Sequence, residues 1–126
     1  MKEYTQLANT EVRRADRAVS DEAWIRALLH RAPVGVLAFN QGDQPFLNSN
    51  LFVYDEAAHA IYMHTARVGR TPANLASETK ICFTIFEMGR LLPADEALEF
   101  SVEYSGVTVF GTAVTVDDPT EAQHGL

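Results

Sequence analysis

The residues best placed to do chemistry lie in one stretch, Ile61-Tyr-Met-His-Thr-Ala-Arg-Val-Gly-Arg-Thr-Pro-Ala-Asn-Leu75. It reads as a strand ending at Thr65, a short basic loop carrying Ala66, Arg67 and Arg70, and the first turn of a helix over 71–77. Thr71 suits the N-cap, and Pro72 the first helical position, where a missing N–H costs nothing. Unpaired N–H groups and a partial positive charge gather at such an end, and two arginines precede it. The stretch is built like a phosphate site, and a phosphorylated small molecule is the first ligand it implies. A capped helix flanked by two solvated arginines would use the same residues equally well.

Two polar intrusions in apolar strands extend this set. Asn48-Ser-Asn50 interrupts a strand otherwise made of Phe46, Leu47, Leu51, Phe52 and Val53. Period-2 geometry puts Asn48 and Asn50 on one face and Ser49 on the other. Two amides on one face can meet the edge of a planar heterocycle, or can simply face solvent. His64 and Thr65 form the second intrusion, where an imidazole and a hydroxyl stand beside the arginine loop. Other chemistries lack support. The histidines at 30, 59, 64 and 124 show no metal-ligand spacing, and there is no paired-cysteine motif or His-Glu-x-x-His. A Gly-x-Ser-x-Gly elbow is also absent, and no nucleophile or general base can be singled out.

The elements that must position these residues are mostly strands. A helix is expected over 21–31, capped by Ser20, with Trp24, Ile25, Leu28 and Leu29 as one apolar stripe and Pro33 as its stop. Strands follow at 34–39 and 46–54 around an Asn40-Gln-Gly-Asp43 turn, then at 60–65 and 80–87, and from about 99 to 116. The last is expected to bend near Ser105-Gly106, where glycine allows a bulge. Residues 1–19 read as irregular and basic. Tight turns between strands and a single long helix imply a mainly β, small antiparallel barrel of about five to six strands. Asp118, Pro119 and Glu121 open a further helix that ends after about two turns. That stub is expected to be the truncated end of a longer product.

With 126 residues the chain suits one domain, 1–126. A net charge of -7 argues against nucleic acid, although a local basic pocket remains compatible with it. The lone Cys82, between Ile81 and Phe83, is expected to be a small buried hydrophobe. No apolar run has the length of a leader or membrane span, so a cytoplasmic location is expected.

Together these residues resemble the pyridoxamine 5'-phosphate oxidase-related, FMN-binding split-barrel proteins, and most closely the branch that contains nitroimidazole-resistance proteins. The resemblance runs through Val12-Arg-Arg14, Pro45-Phe-Leu-Asn-Ser-Asn-Leu-Phe-Val-Tyr-Asp55, the Ile-Tyr-x-His-x-Ala-x-x-Gly-Arg pattern ending at Arg70, and Glu99 to Gly111. It implies an FMN groove at a homodimer interface. The strand from Asn48 through Ser49 and Asn50 would run along the flavin, with His64 and Thr65 touching it and Arg70 holding the phosphate. Tyr104, Ser105 and Gly106 would come to the shared site from one subunit. The implied function is electron transfer from NAD(P)H to a small acceptor, or alternatively a non-catalytic flavin- or haem-binding module. Thr71 departs from the second basic residue that many relatives carry there. Relatives also continue beyond residue 126 with a helix and a last strand, and the C-terminal residues by which true pyridoxamine phosphate oxidases recognise their substrate are lacking here, so the resemblance does not imply that activity.

Overall fold

Asp21, not Ser20, caps the first helix: its carboxylate accepts from the N–H groups of Ala23 at 3.0 Å and Trp24 at 3.4 Å. A carboxylate one residue closer to the helix serves the same free N–H groups and also favours the positive end. This helix, α1 (Glu22–Arg31), ends at Ala32, immediately before Pro33. The computed structural model describes residues 6–64 and 79–125. The helix expected over 71–77 lies outside them.

Five antiparallel strands follow: β1 (Val34–Gln41), β2 (Gln44–Asp55), β3 (Ala60–Met63), β4 (Thr79–Leu92) and β5 (Ser101–Ala113). Their order in the sheet is β3-β2-β1-β4-β5. Gly42, at φ 60°, takes the left-handed conformation that the tight β1–β2 turn requires. His59 does the same at φ 52° in the β2–β3 turn. β1, β2 and β4 are longer than hydropathy suggests, because pairing carries polar residues such as Gln41 and Gln44 into the ladder. β5 is instead shorter than the expected 99–116, with Ala97–Glu99 in a 3-10 turn before it, and β3 is described only to Met63. The one irregularity lies on β4 rather than at Ser105-Gly106. Gly89 and Arg90 stand opposite Glu103 alone, between the pairs Met88–Tyr104 and Leu91–Val102. Gly106 instead pairs regularly with Phe86.

One sheet face carries the core. Leu37 and Phe39 of β1, Phe83 and Ile85 of β4 and Tyr54 of β2 are buried against Leu28 and Leu29 of α1. Phe52 meets Phe83 edge-on at 5.0 Å. The opposite, outer face is apolar as well but uncovered in the protomer: Leu47 is 72% exposed, Leu51 69%, Phe86 72% and Met88 70%. Cys82 sits on this outer face, as its alternation with the buried Phe83 requires, and is half-buried rather than buried. A second helix, α2 (Pro119–His124), is capped by Asp118 as expected. It packs at the edge of the sheet, where Gly125 lies against the Tyr62 ring.

Phe83 owes its position to Gly35, because a Cβ added there would stand 2.0 Å from the ring's Cζ. Gly35→Ala is therefore expected to destabilise the fold by about 1–3 kcal/mol through overpacking. Gly111→Ala, with open space around its Cβ, should stay within about 0.5 kcal/mol of the parent protein. Denaturant unfolding of both variants checks the contrast.

Candidate functional site

β2 alternates strictly, and so divides the polar run as its period predicts. Asn48 and Asn50 are half-buried on the inner face between Phe46 and Phe52, whereas Ser49 is exposed on the outer face. Asn48 stands opposite Leu37, and Asn50 opposite Gly35. The Asn50 amide crosses to β3, donating through Nδ2 to the carbonyl of His64 at 2.6 Å. Only the amide nitrogen can face a carbonyl, so the chemistry settles which way the Asn50 side chain is turned. Among the described residues no hydrogen bond engages the Asn48 amide. His64 follows directly on β3 and is exposed. Thr65, Ala66, Arg67, Arg70 and Thr71, and with them the phosphate site read from sequence, lie outside the described residues.

Tyr104 and Ser105 occupy β5, Tyr104 on the outer face beside Met88 and Ser105 on the inner face beside Glu87. Arg17 holds the Tyr104 ring, donating to its hydroxyl at 2.5 Å with the guanidinium carbon 5.5 Å from the ring centroid. Spacing gives no sign of this contact, since the two residues are 87 apart in the chain. The basic character of residues 13–17 was its one legible trace.

These candidates form two groups that a single protomer keeps apart. The inner-face row through Asn48 runs across Leu37 and Phe83 to Val109, and Ser105 lies four residues further along β5. The outer-face row through Ser49 runs across Val36 and Thr84 to Thr108, again four residues from Tyr104. Three strand spacings put the groups roughly 14 Å apart across the sheet, with a similar offset along it. The structure brings Asn48, Asn50 and His64 together, and Arg17 with Tyr104, but does not join the two sets.

Charged pairs tie the helices to this frame. Arg31, at the end of α1, grips Glu87 with both ends of its guanidinium, at 2.5 Å and 3.2 Å. That grip holds the Glu87 carboxyl below its usual value of 4.5. Asp55 is lowered too, first by the Ala58 N–H and then by His124, whose Nε2 lies 2.5 Å from Oδ2. Tyr62 is raised by burial, and then by its 3.2 Å bond to Glu121. Among the described residues, no three His, Cys, Asp or Glu side chains gather to hold a metal ion.

Comparison with known proteins places this geometry. The family described as pyridoxamine 5'-phosphate oxidase matches residues 21–126. No curated protein matches the chain. The flavocytochrome Anf3 from Azotobacter vinelandii superposes with a TM-score of 0.80 at 22% identity, over 94% of this chain and 54% of its own. The FAD and heme binding protein from Mycobacterium smegmatis superposes with a TM-score of 0.73 at 19% identity, over 85% of this chain and 51% of its own. The chain thus spans about half the length of either structure, and the likeness is one of fold, the split barrel.

Depressed carboxyl groups contribute stability that is present above their usual values and is lost as pH falls through their folded ones. Thermal melts from about pH 6 to about pH 3 should therefore show a falling stability to which Glu87 contributes. Glu87→Gln is expected to start lower at pH 6 and to lose less on acidification. A slope identical to the parent's would mean that the Arg31 pair contributes nothing.

Proposed function

The chain belongs to the pyridoxamine 5'-phosphate oxidase family, and we propose that it is an FMN-binding oxidoreductase-type protein that passes electrons from NADH or NADPH to a small acceptor in the cytoplasm. The family match across residues 21–126, on a fold that keeps the split-barrel sheet, carries this reading. The described donor set fits a flavin ring. Asn48 offers a half-buried amide between the aromatic positions 46 and 52, without a hydrogen-bond partner among the described residues, and suited to the edge of a planar heterocycle. The flavin supplies the redox chemistry when bound. The chain's part is to anchor and orient it: Asn48 and Ser49 on β2, His64 and Thr65 at the end of β3, and Arg70 at the phosphate, with Arg67 and Thr71 bordering it.

A second copy of the chain completes the site in this reading. Two groups of candidates too far apart in one protomer, and an outer sheet face that is apolar and uncovered, are what a homodimer with its cofactor at the interface would leave in each subunit. Tyr104 and Ser105 then serve the partner's cofactor. Among the described residues no helix is long and apolar enough to cross a membrane. A second functional reading is a non-catalytic flavin- or haem-binding module, favoured by the names of the two structural neighbours, a flavocytochrome and a FAD and heme binding protein.

Purified protein should be yellow, bleach with NADH or NADPH and regain colour in air. Colour that ignores both donors favours the module, and a colourless protein that takes up no FMN defeats both readings. Arg70→Ala should weaken FMN binding by about 2–3 kcal/mol, as expected when a charged hydrogen-bond partner is lost, and Arg67→Ala by less. Flavin fluorescence titration of apo-protein measures both, and the reverse ranking would move the anchor to Arg67.

The dimer has its own test. Phe86→Glu places a charge on the outer face and should turn a dimer into a monomer in sedimentation. A parent protein that already sediments as a monomer would remove the shared site.

A further inference from the structure

We infer that the far half of the β4–β5 ribbon is a clasp for a second copy of the chain, laying Leu91 against that copy's outer face and setting an acidic tip against its Lys80. The ribbon outruns the sheet that bears it. β4 pairs with β1 over Cys82–Thr84, and β1 begins only two residues beyond that ladder, at Val34. β4 and β5 continue together as far as the pair Leu92–Ser101. Every residue from Met88 to Leu92 is exposed. Two strands on their own are marginally stable in water, and beyond these two stand Leu98 and Phe100, also exposed.

The bulge shows which side of this arm carries the contact. In a regular ladder Arg90 would stand opposite Val102, and Leu91 would turn to the inner side. The extra residue at Gly89-Arg90 puts Leu91 opposite Val102 instead, on the outer side with Phe86 and Met88. Arg90 is drawn aside to Glu103 at 2.6 Å. One apolar stripe of Phe86, Met88 and Leu91 therefore runs from the sheet's outer face on to the arm, and each of the three is at least 70% exposed.

Charge selects the occupant. Beyond Leu92 the arm carries Asp95, Glu96 and Glu99, all exposed and none ion-paired among the described residues. Lys80 is the one basic side chain that the outer face of the sheet presents among the described residues, and it too is exposed and without an ion pair there. Lys80 and Leu92 stand near opposite ends of β4, roughly 40 Å apart along an extended strand, so the tip cannot meet the Lys80 of its own chain. Two outer faces related by a two-fold axis near Phe86 do bring the groups together, because that pairing sets the end of one β4 over the start of the other. The inference rests on the homodimer reading for its second copy, and adds how the copies grip one another.

The lysines of the chain are Lys2 and Lys80, so a carbodiimide, which joins an amine directly to a carboxylate, reads the contact in the unaltered protein. Mass spectrometry of the linked dimer should find Lys80 bonded to Asp95, Glu96 or Glu99, and the monomer band should lack that link. Lys80→Glu should weaken the dimer about tenfold in sedimentation at low salt, since each exposed pair is modest but occurs twice. Adding Glu96→Lys should recover most of that loss. Leu91→Ser should weaken the dimer at least tenfold and leave the circular-dichroism spectrum unchanged, because an exposed side chain supports no core. A parent dimer that forms no such link and ignores Leu91→Ser overturns the clasp while keeping the homodimer. A link between Lys80 and the tip within one chain overturns it as well. A parent that sediments as a monomer at every concentration overturns the homodimer reading and the clasp with it.

Discussion

The Phe83 ring lies across the backbone of β1, in the space that Gly35 leaves by having no side chain. That contact is the keystone of the sheet. It draws the middle strand against β4, lets the ring meet Phe52 from β2, and gives Leu28 and Leu29 of α1 an aromatic floor. In the sheet order β1 stands between the β2–β3 half and the β4–β5 half, so the relative placement of the described candidate residues on β2 and β5 depends on how β1 and β4 fit. Because the seam is made of apolar contact, its strength follows from area and close packing and does not vary with pH. The ion pairs of Arg31 and His124 lie at the periphery, where each ties a helix to the sheet.

A sheet with apolar side chains on both faces needs two covers, and α1 supplies one. The inner face is closed by its Leu28 and Leu29, whereas among the described residues the outer face is met at its two edges, where α2 rests on Tyr62 of β3 and Arg17 on Tyr104 of β5. Outer residues of β2 and β4 are left as exposed as surface residues despite their hydrophobicity. Monomeric proteins rarely leave so continuous a patch open. The same alternation that buries Phe83 and Ile85 turns Phe86 and Met88 outwards, so the core and the uncovered face are two consequences of a single period.

The fold was legible because periodicity and turn chemistry act locally. Gly42 marks its hairpin, Asp118-Pro119 marks α2, and the alternation in β2 sorts Asn48 and Asn50 from Ser49 without any knowledge of their neighbours. What escaped depends on contacts between distant segments. The cap moved from Ser20 to Asp21 because both residue types suit that role, and only the backbone course chooses between them. The bulge at Gly89-Arg90 was missed because two glycine-containing strands face each other there, and pairing decides which one carries the extra residue. Arg17 on Tyr104 and Arg31 on Glu87 join residues far apart in sequence, where residue type alone gives no partner.

The candidate site was legible in the same uneven way. The amide-bearing face of β2 could be read from alternation, but the partner of Asn50 could not, because it lies on another segment 14 residues away. The Asn50 side chain reaches from β2 to the carbonyl of His64, directly after β3. Polar residues in an apolar strand carry a desolvation cost unless they find partners. Asn50 meets that cost with a backbone carbonyl inside the protomer. Asn48, half-buried beside it, has no such partner among the described residues, and a bound ring edge is the partner its position would suit.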